Sequence, residues 1–190
     1  MAVDIKFAKV RQDAIIPSKR NEDMGFDIYA CFDEDYIEIK PHETKLISTG
    51  IASSCSPDYG FLVFERGSTG SKGIARRCGV IDSGYRNEWF IGLTNTTNKT
   101  LYISKIPKER IINRIYNGDK VNKTWDVLFG NFSSIKNNLE RSIEVYPYYK
   151  AIAQAIIVPV PETKVEELSY DELKAIKSER GMGALGSSNK

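Results

Sequence analysis

Gly79-Val80-Ile81-Asp82-Ser83-Gly84-Tyr85-Arg86 sets two β-branched residues ahead of an Asp-Ser-Gly turn and a tyrosine behind it. The segment reads as a β-hairpin: Val and Ile favour a pleated strand, while Asp, Ser and Gly supply turn geometry and local hydrogen bonds. Outward from it, stretches rich in aromatic and β-branched residues predict strands over 4–10, 36–39, 45–47, 61–64 and 89–93. Turn clusters such as SPDYG at 56–60 separate them. The run AIAQAIIVPV at 151–160 is almost wholly apolar and ends at prolines, as a fully buried strand would. Many short strands without alternating helices point to an all-β fold, closed or double-layered.

Helix signals come late. Ser169-Tyr170-Asp171-Glu172 has the spacing of a capping box, with Ser169 as N-cap and Leu173 and Ile176 on one face of a short C-terminal helix. The last residues, RGMGALGSSNK at 180–190, are glycine-rich and without a buried pattern, so taken alone they read as a flexible tail. The stretch 104–148 is rich in Asn and Lys and reads as an insertion with its own small structure, in which Ile111, Ile112 and Ile115 would share the face of a short helix. The expected organisation is one domain over 1–179, interrupted by that insert, and a lid over 180–190.

At 190 residues, with 41% hydrophobic and 27% charged residues, the chain has the composition of an ordinary globular domain. A net charge of +2 gives no bulk electrostatic case for nucleic acid or membrane as partner. No apolar run approaches the ~20 residues that span a bilayer, and a cytoplasmic protein is expected. Cys31, Cys55 and Cys78 are an odd, widely spaced set, which argues against a disulfide framework and a zinc ribbon. The single histidine, His42, reads as a turn residue. If the protein is an enzyme, carboxylates and a hard cation must carry the chemistry.

Three places offer such chemistry. From Arg66 to Ile81 there are four cations and no acid, opening with Arg66-Gly67-Ser68-Thr69-Gly70-Ser71-Lys72-Gly73. Glycines let backbone N–H groups approach an anion, hydroxyls donate to it, and arginine grips phosphate in a planar fork. The same segment also suits a plain basic loop, and it lacks the spacing of a P-loop. Asp82 ordinarily would serve its own turn; following a phosphate-type loop, it is also a candidate base for activating water. In Met24-Gly25-Phe26-Asp27-Ile28, period-2 alternation turns Asp27 away from Phe26 and Ile28, towards solvent, a cation or an arginine.

The order of these elements is more informative than any of them singly. Asp27 in GFDIYA, Arg66 in RGSTGSKG, Asp82 and Tyr85 in GVIDSGYR, Gln154 in IAQAIIVP and Arg180 in RGMGALGSS resemble the five ordered motifs of the trimeric dUTPase family. The likeness spans nearly the whole chain, and GVIDSGYR is its most specific part. It implies a jelly-roll-like β-clip fold and a homotrimer with active sites at subunit interfaces. The implied reaction is Mg2+-assisted hydrolysis of dUTP to dUMP and pyrophosphate.

Residue by residue, the resemblance makes Asp82 the base that activates the attacking water and Tyr85 the support under the deoxyribose. The backbone of Gly79, Val80 and Ile81 would read uracil. Arg66, Gly67 and Ser68 would hold the phosphates, Gln154 would add a polar contact, and Asp27 would steady Mg2+ through water. Arg180, Leu185, Gly186, Ser187 and Ser188 would close over the nucleotide. Four positions depart from the family pattern: Gly67 for a serine, Leu185 for an aromatic that stacks on the base, Tyr149-Lys150-Ala151 for Gly-Asp-Arg, and Asn87 for a glycine. The insert resembles an extra segment of some phage members that serves partner binding, so a nucleotide-sensing regulatory protein is a second reading. A dCTP deaminase is a third, but its chemistry needs a glutamate on the strand after GVIDSGYR, and 89–95 holds no acid. A purely structural β protein would leave all these features as unrelated accidents.

Overall fold

The computed structural model describes residues 3–77, 79–118, 132–179 and 181. Among these residues twelve strands are formed: β1 (Ile5–Lys9), β2 (Phe26–Ile28), β3 (Tyr36–Ile39), β4 (Thr44–Ser48), β5 (Ile51–Cys55), β6 (Tyr59–Phe64), β7 (Ile74–Arg77), β8 (Val80–Ile81), β9 (Phe90–Asn95), β10 (Thr100–Ser104), β11 (Ile143–Pro147) and β12 (Ala153–Pro159). Among the described residues four helices accompany them: α1 (Gly67–Gly70), α2 (Lys108–Gly118), α3 (Phe132–Ser142) and α4 (Tyr170–Ala175). The strands pair as β1-β5, β11-β10-β3, β2-β12-β6-β8 and β4-β9-β7. Residues 1–160 make one unit and 161–190, carrying α4, a second.

All four sheets feed one apolar core. Ile28, Phe61 and Val63 come from the β2-β12-β6-β8 sheet, Ile47, Ile91 and Leu93 from β4-β9-β7, Ile39, Leu101 and Ile103 from β11-β10-β3, and Ile51 from β5. Trp89 is fully buried among them, with its ring 5.1 Å from that of Phe61 and 5.9 Å from that of Phe7. Aromatic edges meeting at such distances add to the area term that drives burial. The expected all-β, jelly-roll-like architecture is what the chain adopts. Among the described residues, no helix is long and apolar enough to cross a membrane.

Local expectations fare unevenly. The capping box forms: Ser169 Oγ accepts from the Glu172 N–H at 3.3 Å, and Glu172 Oε2 accepts from the Ser169 N–H at 2.8 Å. His42 sits in an exposed turn with φ of 61°. The run at 151–160 forms β12 over Ala153–Pro159, but burial is complete only at Ala153 and Ala155, and the half from Ile156 onward is partly exposed in one chain. The hairpin does not form as read. β8 pairs with β6, and after the turn buried Trp89 draws the chain into the core, so β9 joins β4 and β7 instead. Strands β5, β7, β10 and β11 were not expected.

The insert has a structure of its own. β10 and β11 pair in parallel, from Thr100↔Ile143 to Ser104↔Pro147, so α2 and α3 lie on the connection between them. Ile111, Ile112 and Ile143 are buried with Tyr102 in a second apolar cluster, against which Ile115, Leu139 and Val145 pack. The helical face at 111, 112 and 115 is as expected; a second eleven-residue helix, α3, is an addition to the all-β expectation.

Candidate active site

Asp27 occupies the middle of β2, and its N–H donates to Ser18 O at 3.0 Å. Directly across the ladder on β12 is Gln154, which in turn lies level with Phe64 at the end of β6. The chain leaves β6 through Glu65 into Arg66, which is thereby delivered beside Asp27. The guanidinium forks onto the carboxylate, Nε to Oδ1 at 2.9 Å and Nη2 to Oδ2 at 3.2 Å. Both side chains are about one-third exposed, at 30 and 32%. A forked, charge-assisted pair of this kind fixes orientation as well as charge. Gln154 Nε2 donates to Glu65 O at 2.8 Å. Gly25 makes room for it: a Cβ there would stand 3.2 Å from both Cβ and Oε1 of Gln154.

The segment read as a glycine loop is a single helical turn, α1, with Arg66 as its N-cap. Buried Thr69 closes it, its hydroxyl accepting from the Arg66 N–H at 3.0 Å. Arg66 Nη1 reaches Ser68 Oγ at 3.4 Å. Ser68 and Gly67 are exposed, and a Cβ at Gly67 would meet nothing within 4 Å, so the family's serine would fit. The N–H groups of a first helical turn have no partner within the helix and suit an anion. Asp27, Arg66 and Gln154 line one cavity of about 710 Å3 together with Ser18, Lys19, Arg20, Glu22, Asp23, Met24 and Gly25.

Glu65 braces the turn from behind by accepting the Arg76 N–H at 2.9 Å. Burial works against its charge, yet backbone N–H bonds from Arg76 and from its own amide, with the charges of Arg76 and Arg77, hold its carboxyl below the usual range. The Arg20 fork holds Asp23 down likewise, and Arg11 holds Asp33. Carboxyls whose folded pKa is depressed contribute stability that is complete above the unfolded value near pH 4 and is lost as pH falls through the folded values. The urea midpoint should therefore drop between about pH 5 and pH 3. A flat profile there would contradict the assignment.

The GVIDSGYR segment lies elsewhere on the same sheet. Ile81 is level with Phe61, so Asp82 falls beside Gly60, whereas Gln154 is level with Phe64. At ~3.4 Å per residue, the span from Gly60 to Phe64 puts roughly 14 Å along β6 between the two levels. Asp82 and Tyr85 are not among the residues lining the cavity. Asp82 is exposed; its carbonyl accepts from the Tyr85 N–H at 3.1 Å, and its carboxylate has no described partner among the described residues. Tyr85 Oη donates to Glu88 O at 3.0 Å, and Arg86 turns back onto the carbonyls of Ser83, Tyr85 and Ser53.

Gly79 admits no side chain, because a Cβ would lie 2.2 Å from Arg76 Nη1 and 2.9 Å from Val63 O. Its carbonyl also accepts the Val63 N–H at 2.7 Å. Gly79→Ala should therefore displace β8 from β6 and lower the melting temperature; an unchanged melting temperature would contradict this close approach.

The structure thus brings together Asp27, Arg66, Gly67, Ser68 and Gln154, and places Gly79, Val80, Ile81, Asp82 and Tyr85 as a second group. Arg180, Leu185, Gly186, Ser187 and Ser188 lie outside the described residues. Sequence reasoning missed the basic and acidic lip at 18–24; its signal was the dense charge of SKRNED just ahead of GFDIYA. It also missed Glu88, whose carboxylate accepts from the Ser48 hydroxyl and from the Gly50 N–H.

Comparison with known proteins bears on this arrangement. A model of the dUTPase family matches residues 11–117. The deoxyuridine 5'-triphosphate nucleotidohydrolase of Nautilia profundicola is 30% identical over 194 residues, covering 98% of this chain and 99% of that relative. A mutant dUTPase of Staphylococcus bacteriophage 80alpha, solved with dUpNHpp, superposes with a TM-score of 0.65 at 20% identity, covering 97% of this chain and 98% of that one. A mutant dUTPase from phage phi11 of S. aureus, described with a coordinated structural Mg(II) ion, gives a TM-score of 0.58 at 17% identity over 89% of this chain and 99% of that one. A family match over more than half the length and a relative aligned from end to end lead to one conclusion: the chain belongs to the dUTPase family.

Proposed function

We propose that this chain hydrolyses dUTP to dUMP and pyrophosphate at sites built from more than one copy of itself. The observation that carries the reading is the fork of Arg66 onto Asp27 beside Gln154, at the wall of a cavity of about 710 Å3. When the polyphosphate enters, Arg66 passes from Asp27 to phosphate oxygens, with the amides of Gly67 and Ser68 and the Ser68 hydroxyl adding donors. That exchange frees the Asp27 carboxylate. A carboxylate freed there, together with substrate phosphates and water, offers the oxygen ligands a hard cation takes. A Mg2+ ion held there by Asp27 through water would supply neutralisation of the charge that develops on the polyphosphate.

The base is Asp82. It takes a proton from a water whose oxygen bonds to the α-phosphorus while the bond to the bridging oxygen breaks in line and pyrophosphate leaves. Within one chain Asp82 stands roughly 14 Å along β6 from the level of Gln154, so the Asp82 that serves a given Arg66 belongs to a neighbouring copy. This supports sites shared between copies, and the family likeness makes the assembly a homotrimer. Tyr85, its hydroxyl fixed on Glu88, packs under the sugar, and the Gly79–Ile81 backbone reads uracil. Arg180, Leu185 and the residues 186–188 close over the bound nucleotide. The enzyme acts on the free nucleotide pool of the cytoplasm.

Pyrophosphate release should be fastest from dUTP among dUTP, UTP, dTTP and dCTP, and should require Mg2+. Absence of release from dUTP would overturn the reading, and ammonia release from dCTP would favour a deaminase, although β9 carries no acid. The insert, whose helices pack with Tyr102 in an apolar cluster of their own, is the candidate surface for a regulatory protein partner.

A further inference from the structure

The cavity that holds the Arg66–Asp27 fork has a second wall of the same chemistry. After Ser18 bonds to the Asp27 N–H, the chain turns through Lys19, Arg20, Glu22 and Asp23, all of which line the cavity with Arg66 and Gln154. The turn is closed by a second fork: Arg20 Nε to Asp23 Oδ2 at 2.9 Å and Nη2 to Oδ1 at 2.9 Å, with the Arg20 N–H on Oδ2 at 3.2 Å. Lys19 Nζ donates to Asp23 O at 2.7 Å and lies 5.8 Å above the Phe26 ring. The Asp23 hydrogen bond and charge raise the Arg20 pKa against a smaller opposing desolvation, and the charge of Asp27 adds a lesser contribution in the same direction as Asp23.

The wall therefore carries three cations (Lys19, Arg20, Arg66) against three carboxylates (Glu22, Asp23, Asp27), so the cavity lining is formally neutral. A triphosphate bearing one magnesium ion remains strongly anionic, so a neutral wall attracts it only if cations are released from their carboxylates. Asp23 is partly exposed and can be hydrated once its arginine leaves, whereas a buried carboxylate could not. An exposed fork is worth little in water, so little opposes its exchange for a more highly charged partner.

We propose that Arg20 is a further phosphate-binding residue, held on Asp23 as the fork stands and transferred to the polyphosphate of the bound nucleotide opposite Arg66. This rests on the hydrolase reading above for the identity of the nucleotide. The geometry of the two forks around one cavity requires only that the ligand carry a polyphosphate.

The test is calorimetric binding, with Mg2+, of dUpNHpp, dUMP and inorganic tripolyphosphate to the full-length protein. Arg20→Ala should weaken dUpNHpp about tenfold, as expected for loss of one charge-assisted hydrogen bond, and leave dUMP unchanged. Arg20→Lys should recover part of the loss, and Asp23→Asn, which releases Arg20, should tighten dUpNHpp severalfold. Melting temperatures exclude a folding defect, and the exposed turn gives Arg20→Lys a route to an answer if Arg20→Ala misfolds. Native-like affinity for dUpNHpp and tripolyphosphate in both Arg20 variants would overturn the proposal. If the native protein binds tripolyphosphate in an Arg20-dependent way but shows no preference for dUpNHpp, Arg20 keeps its role and the uracil reading fails. Binding of neither ligand to the native protein would overturn both.

Discussion

Asp82→Asn should stop pyrophosphate release while leaving dUpNHpp bound with nearly native affinity. Loss of a general base lowers turnover by about 10²–10⁴-fold, and the local structure gives no reason for a folding penalty to mimic that loss. Asp82 contributes to its turn through the backbone carbonyl that accepts the Tyr85 N–H, a bond asparagine retains. Its carboxylate is exposed and makes no described contact among the described residues, so the isosteric change removes a proton acceptor and little else. The check is kcat from pyrophosphate release set against the dissociation constant for dUpNHpp and the melting temperature. Hydrolysis at the native rate would remove Asp82 from the chemistry. A parallel loss of binding would move it from proton transfer to recognition.

Trp89→Ala should produce the largest loss of stability. Trp89 is fully buried, its N–H donates to Ile51 O at 2.8 Å, and its carbonyl accepts from the Thr49 hydroxyl at 2.6 Å. Truncating such a ring costs about 3–5 kcal/mol through lost transfer energy and the cavity left behind. The shift in urea midpoint at constant slope measures it. Trp89→Phe should cost much less, because Nε1 is buried without a partner among the described residues and its removal relieves a desolvated donor. Activity should follow stability here, since Trp89 anchors the chain that leaves Tyr85 and Glu88. Full activity at native KM in a destabilised Trp89→Ala would separate the core from the recognition turn.

Asp27 and the insert helix show what local sequence can encode. Alternation alone turned Asp27 away from Phe26 and Ile28, and the 111, 112, 115 spacing marked a buried helical face; both are properties of a few neighbouring residues. The meeting of Asp27, Arg66 and Gln154 is of another kind. It depends on β12 choosing β2 and β6 as neighbours, and no periodicity in any of the three strands records that choice. The order of motifs carried it instead. The hairpin failed for the same reason: turn chemistry at Asp82–Gly84 was legible, but burial of Trp89 decides which sheet the chain enters next. The lip at 18–24 escaped notice because a run of mixed charge commonly means a solvated turn, and only its fold back beside Asp27 sets it facing Arg66.

The parallel register of β10 and β11 limits how this chain can be shortened. Side-by-side strands running the same way cannot be joined by a tight turn; the return path needs a dozen or so residues. Clipping out α2 and α3 and splicing the ends would leave β11 unable to reach its seat, and the Tyr102 side of β10 would lose its cover. Evolution can lengthen or exchange the loop-out freely, but it can remove it only by giving up the edge strand as well.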